Sequence, residues 1–234
     1  MSKVCLVTGV GEGNGAAITR SFAADGYRVA MLARSEETLR RFEAEIEGAT
    51  GYVCDVTDSA QCETALGAVR KELGSVDVFV HNAGSGSMRK FMDTRVEDME
   101  AAWRTNTLAL LLLGKPIAAE MLAAGRGAIV VIGATSALRG GANFAPFAAA
   151  KAAQRSLAQS MARSLGPEGV HVSYLVIDGV IDTPRTRRTD WGRDMPDDFF
   201  LCPADVAQAV HTLAHQPKSA WTFEMDIRPF GEKW

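Results

Sequence analysis

Seven short runs rich in valine, leucine and isoleucine alternate with six stretches of helical periodicity, and this alternation limits the chain to few folds. The runs are Val4–Thr8, Arg28–Ala33, Gly51–Cys54, Val76–His81, Ala128–Gly133, Val170–Val176 and Trp221–Ile227. The helical stretches are Gly15–Asp25, Glu36–Glu47, Ser59–Leu73, Val96–Ala124, Phe144–Leu165 and Ala204–His215. Strands that are apolar on both sides need cover on both faces, and parallel neighbours need long crossovers, which the helices supply. The expectation is an α/β fold: one domain over residues 1–234, a doubly wound sheet of about seven parallel strands with helices on both faces. No repeat, linker or shift in composition marks a second domain. Thr183–Leu201 is the one long stretch that is polar, charged and irregular. It is expected to form a mobile loop or short helix near a site, a substrate lid over residues 183–201.

A chain of 234 residues with 47% hydrophobic residues can bury a sizeable core. A net charge of −3 provides no basic field for nucleic acid or an acidic membrane surface, so a small molecule is the expected partner. The longest unbroken apolar run, Leu108–Leu113, is far short of the roughly 20 residues that span a bilayer, and Met1–Leu6 lacks the regions of a secretion signal. A soluble cytoplasmic protein is expected. Cys5, Cys54, Cys62 and Cys202 form neither a C-x-x-C pair nor a Cys/His grouping of the zinc type, so reduced thiols and no metal are expected.

The first strand runs into Thr8-Gly9-Val10-Gly11-Glu12-Gly13-Asn14-Gly15 and then directly into a helical run. Glycines there permit a tight strand-to-helix turn and let backbone N–H groups at the helix start approach a pyrophosphate. The second strand ends in Ala33-Arg34-Ser35, without the acidic residue that would accept the ribose hydroxyls of NAD. Arg34 reads as a partner for a 2′-phosphate or as a solvated surface arginine. The first reading favours NADP(H) over NAD(H).

The turn, spaced T-G-x-x-x-G-x-G, together with Cys54-Asp55-Val56 and His81-Asn82-Ala83-Gly84, resembles the short-chain dehydrogenase/reductase family along nearly the whole chain. The resemblance implies a Rossmann-type domain that binds a nicotinamide dinucleotide. By it, Gly9, Gly13, Asn14 and Gly15 would meet the pyrophosphate, Asn14 standing where the family usually has isoleucine or leucine. Asp55 and Val56 would lie beside the adenine. Asn82, Ala83 and Gly84 would hold adjacent strands and let the cofactor lie close, the structural role of Asn82 being at least as strong an expectation as ligand contact. Ile177-Asp178-Gly179-Val180-Ile181-Asp182-Thr183 is similar to the family loop beside the nicotinamide, with Gly179, Ile181 and Thr183 matching. Asp178 replaces its proline and reads as a turn aspartate or a catalytic group.

In this family a serine, a tyrosine thirteen residues later and a lysine four beyond that carry proton transfer, with an asparagine on the preceding helix. Lys151 and Asn106 match, but Phe147 stands at the tyrosine position and Ala134 at the serine position. Phenylalanine can neither donate a proton nor stabilise an oxyanion. The replacement donors in reach are Thr135, Ser136, Lys151 or a water, while Thr135 and Ser136 equally read as residues that satisfy backbone groups at a strand end. Lys151 would keep its hydrogen bond to the nicotinamide ribose.

Three functions follow. The leading one is an atypical NADP(H)-dependent oxidoreductase acting on the carbonyl or alcohol of a small molecule. The others are a dinucleotide-binding protein with little turnover that reports redox state, and a non-redox enzyme on the same fold. Phe91, Trp191 and Phe199 are expected as apolar lining of a cleft or as ordinary packing. The resemblance also implies a homodimer or homotetramer through Val96–Ala124 and Phe144–Leu165. The aromatic tail Arg228–Trp234 is expected to dock on a neighbouring subunit.

Overall fold

Alternation along each strand divides the core in two. In β1 (Val4–Thr8), Val4 and Leu6 pack into the cluster on one face of the sheet and Cys5 and Val7 into the cluster on the other, all of them buried. This two-sided burial is what a sheet between two helical layers requires. The computed structural model describes residues 2–86 and 88–232.

The other strands are β2 (Arg28–Ala33), β3 (Ala49–Val53), β4 (Val78–His81), β5 (Gly127–Ile132), β6 (Val170–Ile177), β7 (Val180–Ile181), β8 (Phe200–Leu201) and β9 (Glu224–Ile227). Seven of them form one parallel sheet in the order β3-β2-β1-β4-β5-β6-β9, and β7 pairs with β8 in a small parallel sheet of its own. The strand order reverses between β1 and β4, and ligands of doubly wound folds bind at the carboxyl ends of the strands beside such a switch point.

The helices are α1 (Asn14–Ala24), α2 (Glu36–Glu45), α3 (Ser59–Glu72), α4 (Val96–Trp103), α5 (Ala109–Ala124), α6 (Ala145–Leu165), α7 (Pro184–Arg187) and α8 (Pro203–Ala214). Residues of α1, α2 and α8 cover one face and residues of α3, α5 and α6 the other. Ser35 caps α2 by accepting from Thr38 N, and Asp58 caps α3 by accepting from Ala60 N and Gln61 N. Gly13 is the N-cap of α1 and has no side chain to cap it, which leaves the first N–H groups of the helix without that partner.

Several boundaries differ from the expectation: those of β3, β5 and β6 by one or two residues, and the starts of β4 and β9 by two and three. β4 starts at Val78 and not at Val76: the Asp77 carboxylate takes the N–H of Val4 at 3.0 Å, while the Asp77 main chain still bonds Val4 O and Ala128 N. Trp221 and Thr222 leave β9 because both are tied to Gln216, through Trp221 Nε1 to its carbonyl and Thr222 N to its side chain. The stretch 183–201, expected as a mobile loop or a short helix, carries the short helix α7, then a 3₁₀ turn and β8. The continuous helical span Val96–Ala124 is apolar and long enough to cross a membrane by length and composition, more so than the Leu108–Leu113 run suggests. Its residues Ala109, Leu110, Leu113, Ile117 and Met121 are buried in the core beneath the sheet, so it packs as a core helix of the domain.

Candidate functional site

The glycine turn between β1 and α1 is tight enough to exclude side chains. Gly9 has φ +66°, and a methyl group there would lie 2.7 Å from Ala83 Cα. One at Gly15 would lie 2.6 Å from Val10 Cα, while one at Gly11 would meet nothing within 4 Å. Gly9 and Gly15 therefore shape the turn, and Gly11 faces open space. The turn is braced from β4: Asn82 Nδ2 donates to Thr8 O at 3.1 Å and Gly9 O at 3.0 Å, and Thr8 Oγ1 accepts from Ala83 N at 3.0 Å. Asn82 has the bracing geometry expected of it. Beneath it, His81 is fully buried and hydrogen-bonded to Thr8 Oγ1 at 3.4 Å. Desolvation, and then the nearby Lys151 charge, push its pKa down to about 3, so it is neutral.

A cavity of about 540 Å³ opens at the carboxyl ends of β1 to β4. Its lining includes Gly9, Arg34, Asp55, Val56, Ala83 and Gly84, which were expected there, and Ser85, Thr105 and Arg185, which were not. Arg34 is exposed, and neither it nor Arg185 forms an ion pair with any described residue. Asp55 closes a local turn, its Oδ1 accepting from Thr57 N at 2.9 Å and Thr57 Oγ1 at 2.7 Å. Val56 is 8% exposed and closes the cavity floor. Of the turn's polar atoms, Asn14 Oδ1 is buried without a partner among the described residues.

The segment after β6 lies over this turn. A methyl group at Gly13 would come within 3.0 Å of Thr183 Cγ2 and 3.7 Å of Ile181 Cγ2. Thr183 caps α7, accepting from Thr186 N at 3.1 Å, and so sets the segment's direction. Gly179 has no room for a side chain because Pro229 packs at 2.7 Å. Arg187 is held by Asp182 and Asp197. Trp191 and Phe199 touch edge to face at 6.5 Å, while Phe91 is exposed. Phe230 is also exposed, and Lys233 and Trp234 of the tail lie outside the described residues.

Next to the cavity, α6 brings Lys151 beneath the end of β5. Its Nζ is buried and donates to Ile132 O at 2.8 Å and to Gln154 Oε1 at 3.0 Å. Burial without a carboxylate partner pushes its pKa down to about 7. Gln154 Nε2 donates in turn to Asn106 O at 2.8 Å. Asn106 lies in a π-helical turn, Arg104–Leu108, between α4 and α5, where a wider backbone turn often marks a functional position. Asn106 Nδ2 donates to Ala102 O and Ser85 O, while its Oδ1 is buried without a partner among the described residues. A methyl group at Gly84 would lie 3.2 Å from that Oδ1 and 3.7 Å from Lys151 Nζ, so the bare glycine keeps the space before both atoms clear.

Phe147 lies one turn before Lys151 on the same helix, its ring centroid 5.9 Å from Nζ. Ala134 is extended at the end of β5. Thr135 Oγ1 bonds to Ile177 O at 3.1 Å and to Asp178 Oδ1 at 2.6 Å, the strand-end geometry expected of it. Asp178 Oδ2 faces Arg228 at 3.5 Å. The hydroxyl of Ser136 makes no hydrogen bond to a described residue. Gln154 and the fully buried Tyr174, whose OH reaches Gln154 Oε1 at 3.4 Å, were not singled out from the sequence. The position of Gln154, three residues after Lys151 on an otherwise alanine-rich face, was the available signal.

These residues fit a dinucleotide: a glycine cradle at an uncapped helix start, an open cavity with two unpaired guanidinium groups, and a buried ammonium with one N–H uncommitted. The short chain dehydrogenase family profile matches residues 3–193. A short-chain dehydrogenase/reductase of Armillaria gallica is 35% identical, the alignment covering 94% of this chain and 92% of the relative. Among solved structures, a short-chain dehydrogenase from Rhodopseudomonas palustris superposes with a TM-score of 0.82 at 36% identity, covering 97% of this chain and 99% of that one. A metagenomic short-chain oxidoreductase in complex with NADP superposes with a TM-score of 0.83 at 30% identity, covering 98% of each chain.

Proposed function

Because the chain belongs to the short-chain dehydrogenase/reductase family, we propose that it is an NADP(H)-dependent oxidoreductase that interconverts a carbonyl and an alcohol on a small molecule without a catalytic tyrosine. The observation that carries this reading is the open cradle at the carboxyl end of β1 with the unpaired Arg34 at its rim. Gly9, Gly13, Asn14 and Gly15 would present the turn to the pyrophosphate, and Asp55, Val56, Ala83 and Gly84 would flank the adenosine side. Arg34 supports a preference for the 2′-phosphate, because a guanidinium forms charge-assisted bonds to phosphate that NAD cannot return. Arg185 adds a second cation on the same cavity. Gly179, Ile181 and Thr183 would border the nicotinamide, and 183–201 would serve as the lid over the substrate.

When bound, the reduced nicotinamide supplies a hydride to the carbonyl carbon. A proton must then reach the carbonyl oxygen. We assign that proton to Lys151. Phe147 and Ala134 have no hydroxyl, and Thr135 spends its hydrogen on Ile177 O or Asp178 Oδ1. With a pKa down to about 7, the ammonium is a far stronger acid than a free lysine. Two of its three donors are engaged, and the third is left for the ribose, the substrate oxygen or a water between them. Asn106, through Gln154, positions it. The missing hydroxyls favour one other reading: a dinucleotide-binding protein of low turnover.

The exposed Val96, Met99, Trp103 and Leu111 support a homodimer or homotetramer through the Val96–Ala124 helix, and the four free thiols suit the cytoplasm. The test of function is to follow nicotinamide absorbance with a panel of ketones, aldehydes and imines. Turnover with NADPH supports the oxidoreductase, and tight NADPH binding without oxidation across the panel supports the second reading.

A further inference from the structure

At the end of the sheet opposite the glycine cradle, the carboxyl ends of two helices converge. Asp25 is the C-cap of α1, and His215 is the C-cap of α8. His211 lies one turn before His215, so both imidazoles stand on one face, stacked with centroids 4.0 Å apart. Asp25 Oδ2 lies 3.1 Å from His211 Nε2 and 3.5 Å from His215 Nε2. We propose that Asp25, His211 and His215 form a binding site for a divalent transition metal of the zinc class, unrelated to the dinucleotide.

Geometry is the first argument. Ligands about 2.0–2.1 Å from a tetrahedral zinc ion stand roughly 3.3 Å apart. The two nitrogen-to-oxygen separations bracket that value, and one ligand atom from each residue lies within 4.8 Å of the others. Little rearrangement separates this cluster from a coordinated one.

The donor set is the second. Two imidazoles and one carboxylate suit zinc and its transition-metal neighbours, whereas magnesium and calcium take oxygen ligands. His215 Nδ1 is 2.8 Å from His211 O, and donation to that carbonyl places the proton on Nδ1 and the lone pair on Nε2. Such outer bonds orient ligating histidines. That lone pair now faces Tyr27 OH at 2.9 Å, a hydrogen bond that metal binding would exchange for a coordinate bond.

Electrostatics is the third. Two helix carboxyl ends each present partial negative charge, and Asp25 adds a full one at the wrong end of α1 for an anion. A bound cation would offset all three. A cavity of about 550 Å³, lined in part by Tyr27 and His215, adjoins the cluster and leaves room for a water or small ligand as the fourth donor. Because Asp25 and His211 lie 186 positions apart, the metal would clasp the first crossover unit to the last.

The test uses the full chain, stripped with EDTA and titrated with zinc chloride by calorimetry. We expect one equivalent to bind in the micromolar range or tighter and to raise Tm. His211→Ala and His215→Ala should each weaken binding by more than the roughly 10- to 100-fold that losing an outer partner of a metal ligand costs, and Asp25→Asn should weaken it as well. All three positions are partly or fully exposed, and far-UV circular dichroism checks each variant's fold. Cys202 is the exposed thiol that could compete, so Cys202→Ser should bind zinc as before. Cobalt(II) substitution should give tetrahedral d–d absorption without thiolate charge transfer. The proposal is overturned by the lack of saturable binding, by binding that survives the double histidine variant, or by binding that Cys202→Ser abolishes.

Discussion

Lys151 Nζ donates to Gln154 Oε1 at 3.0 Å, and through this amide the buried ammonium is tied to the backbone of Asn106. No carboxylate stabilises the charge, which is why burial pulls its pKa down to about 7. If Lys151 delivers the proton, the rate of carbonyl reduction falls as pH rises through about 7, because the acid form is lost. Gln154→Glu places a negative charge beside Nζ and should move that break upward by about one unit or more. The pH profile of kcat/KM checks both, and a profile flat from pH 6 to 9 contradicts the assignment.

The same group makes stability depend on pH. In the folded chain Lys151 loses its proton at about 7, while in the unfolded chain it holds the proton to its ordinary value of 10.5. Between those limits the unfolded state binds more protons, so stability rises with pH, at up to about 1.4 kcal/mol per pH unit. Lys151→Met lacks this rise. Urea unfolding should find the variant more stable than wild type near pH 6.5, with the difference shrinking towards pH 9.

Arg34 and Arg185 are unpaired on the cavity, and a 2′-phosphate would engage Arg34. Arg34→Ala should weaken NADPH binding by about 10- to 100-fold and leave NADH nearly unchanged. Arg34→Asp should invert the preference. Fluorescence titration with each reduced dinucleotide reads the outcome, and equal losses for both would remove the 2′-phosphate role.

Thr8 Oγ1 is the buried acceptor for Ala83 N. Thr8→Val keeps the shape and strands that N–H, so it should destabilise the fold by about 1–3 kcal/mol. Thermal and urea unfolding measure the loss, and an unchanged midpoint would show that the brace from β4 contributes nothing.

The double variant Phe147→Tyr with Ala134→Ser returns two hydroxyls to the site. If Lys151 is a weaker substitute for the tyrosine hydroxyl, carbonyl reduction should rise by roughly 10²- to 10⁴-fold. No gain in steady-state rate would mean that the pocket itself has diverged.

The sheet was legible because its strands are buried on both faces, so β1 and β2 appear as unbroken apolar runs with the ends that the structure gives them. Boundaries slipped where a polar side chain takes a main-chain N–H, as Asp77 takes that of Val4 and Gln216 that of Thr222. The glycine turn was legible because a steric demand on the backbone leaves few residue choices. The Lys151 network was not: Gln154 and Tyr174 act through tertiary contacts 48 and 20 positions apart in the chain, from Asn106 to Gln154 and from Gln154 to Tyr174. The π-helical turn at Asn106 likewise has no periodicity of its own to reveal it. The cluster of His211, His215 and Asp25 was not read from the sequence either, because Asp25 stands 186 positions from His211.

The proposed oxidoreductase activity rests on the turn Gly9–Gly15 receiving a pyrophosphate. The most direct measurement is a titration of the purified chain with NADPH and with NADH, read by quenching of nicotinamide fluorescence or by calorimetry. Saturable binding of one NADPH per chain, tighter than NADH, is the predicted result. Failure of both dinucleotides to bind at millimolar concentration would contradict it.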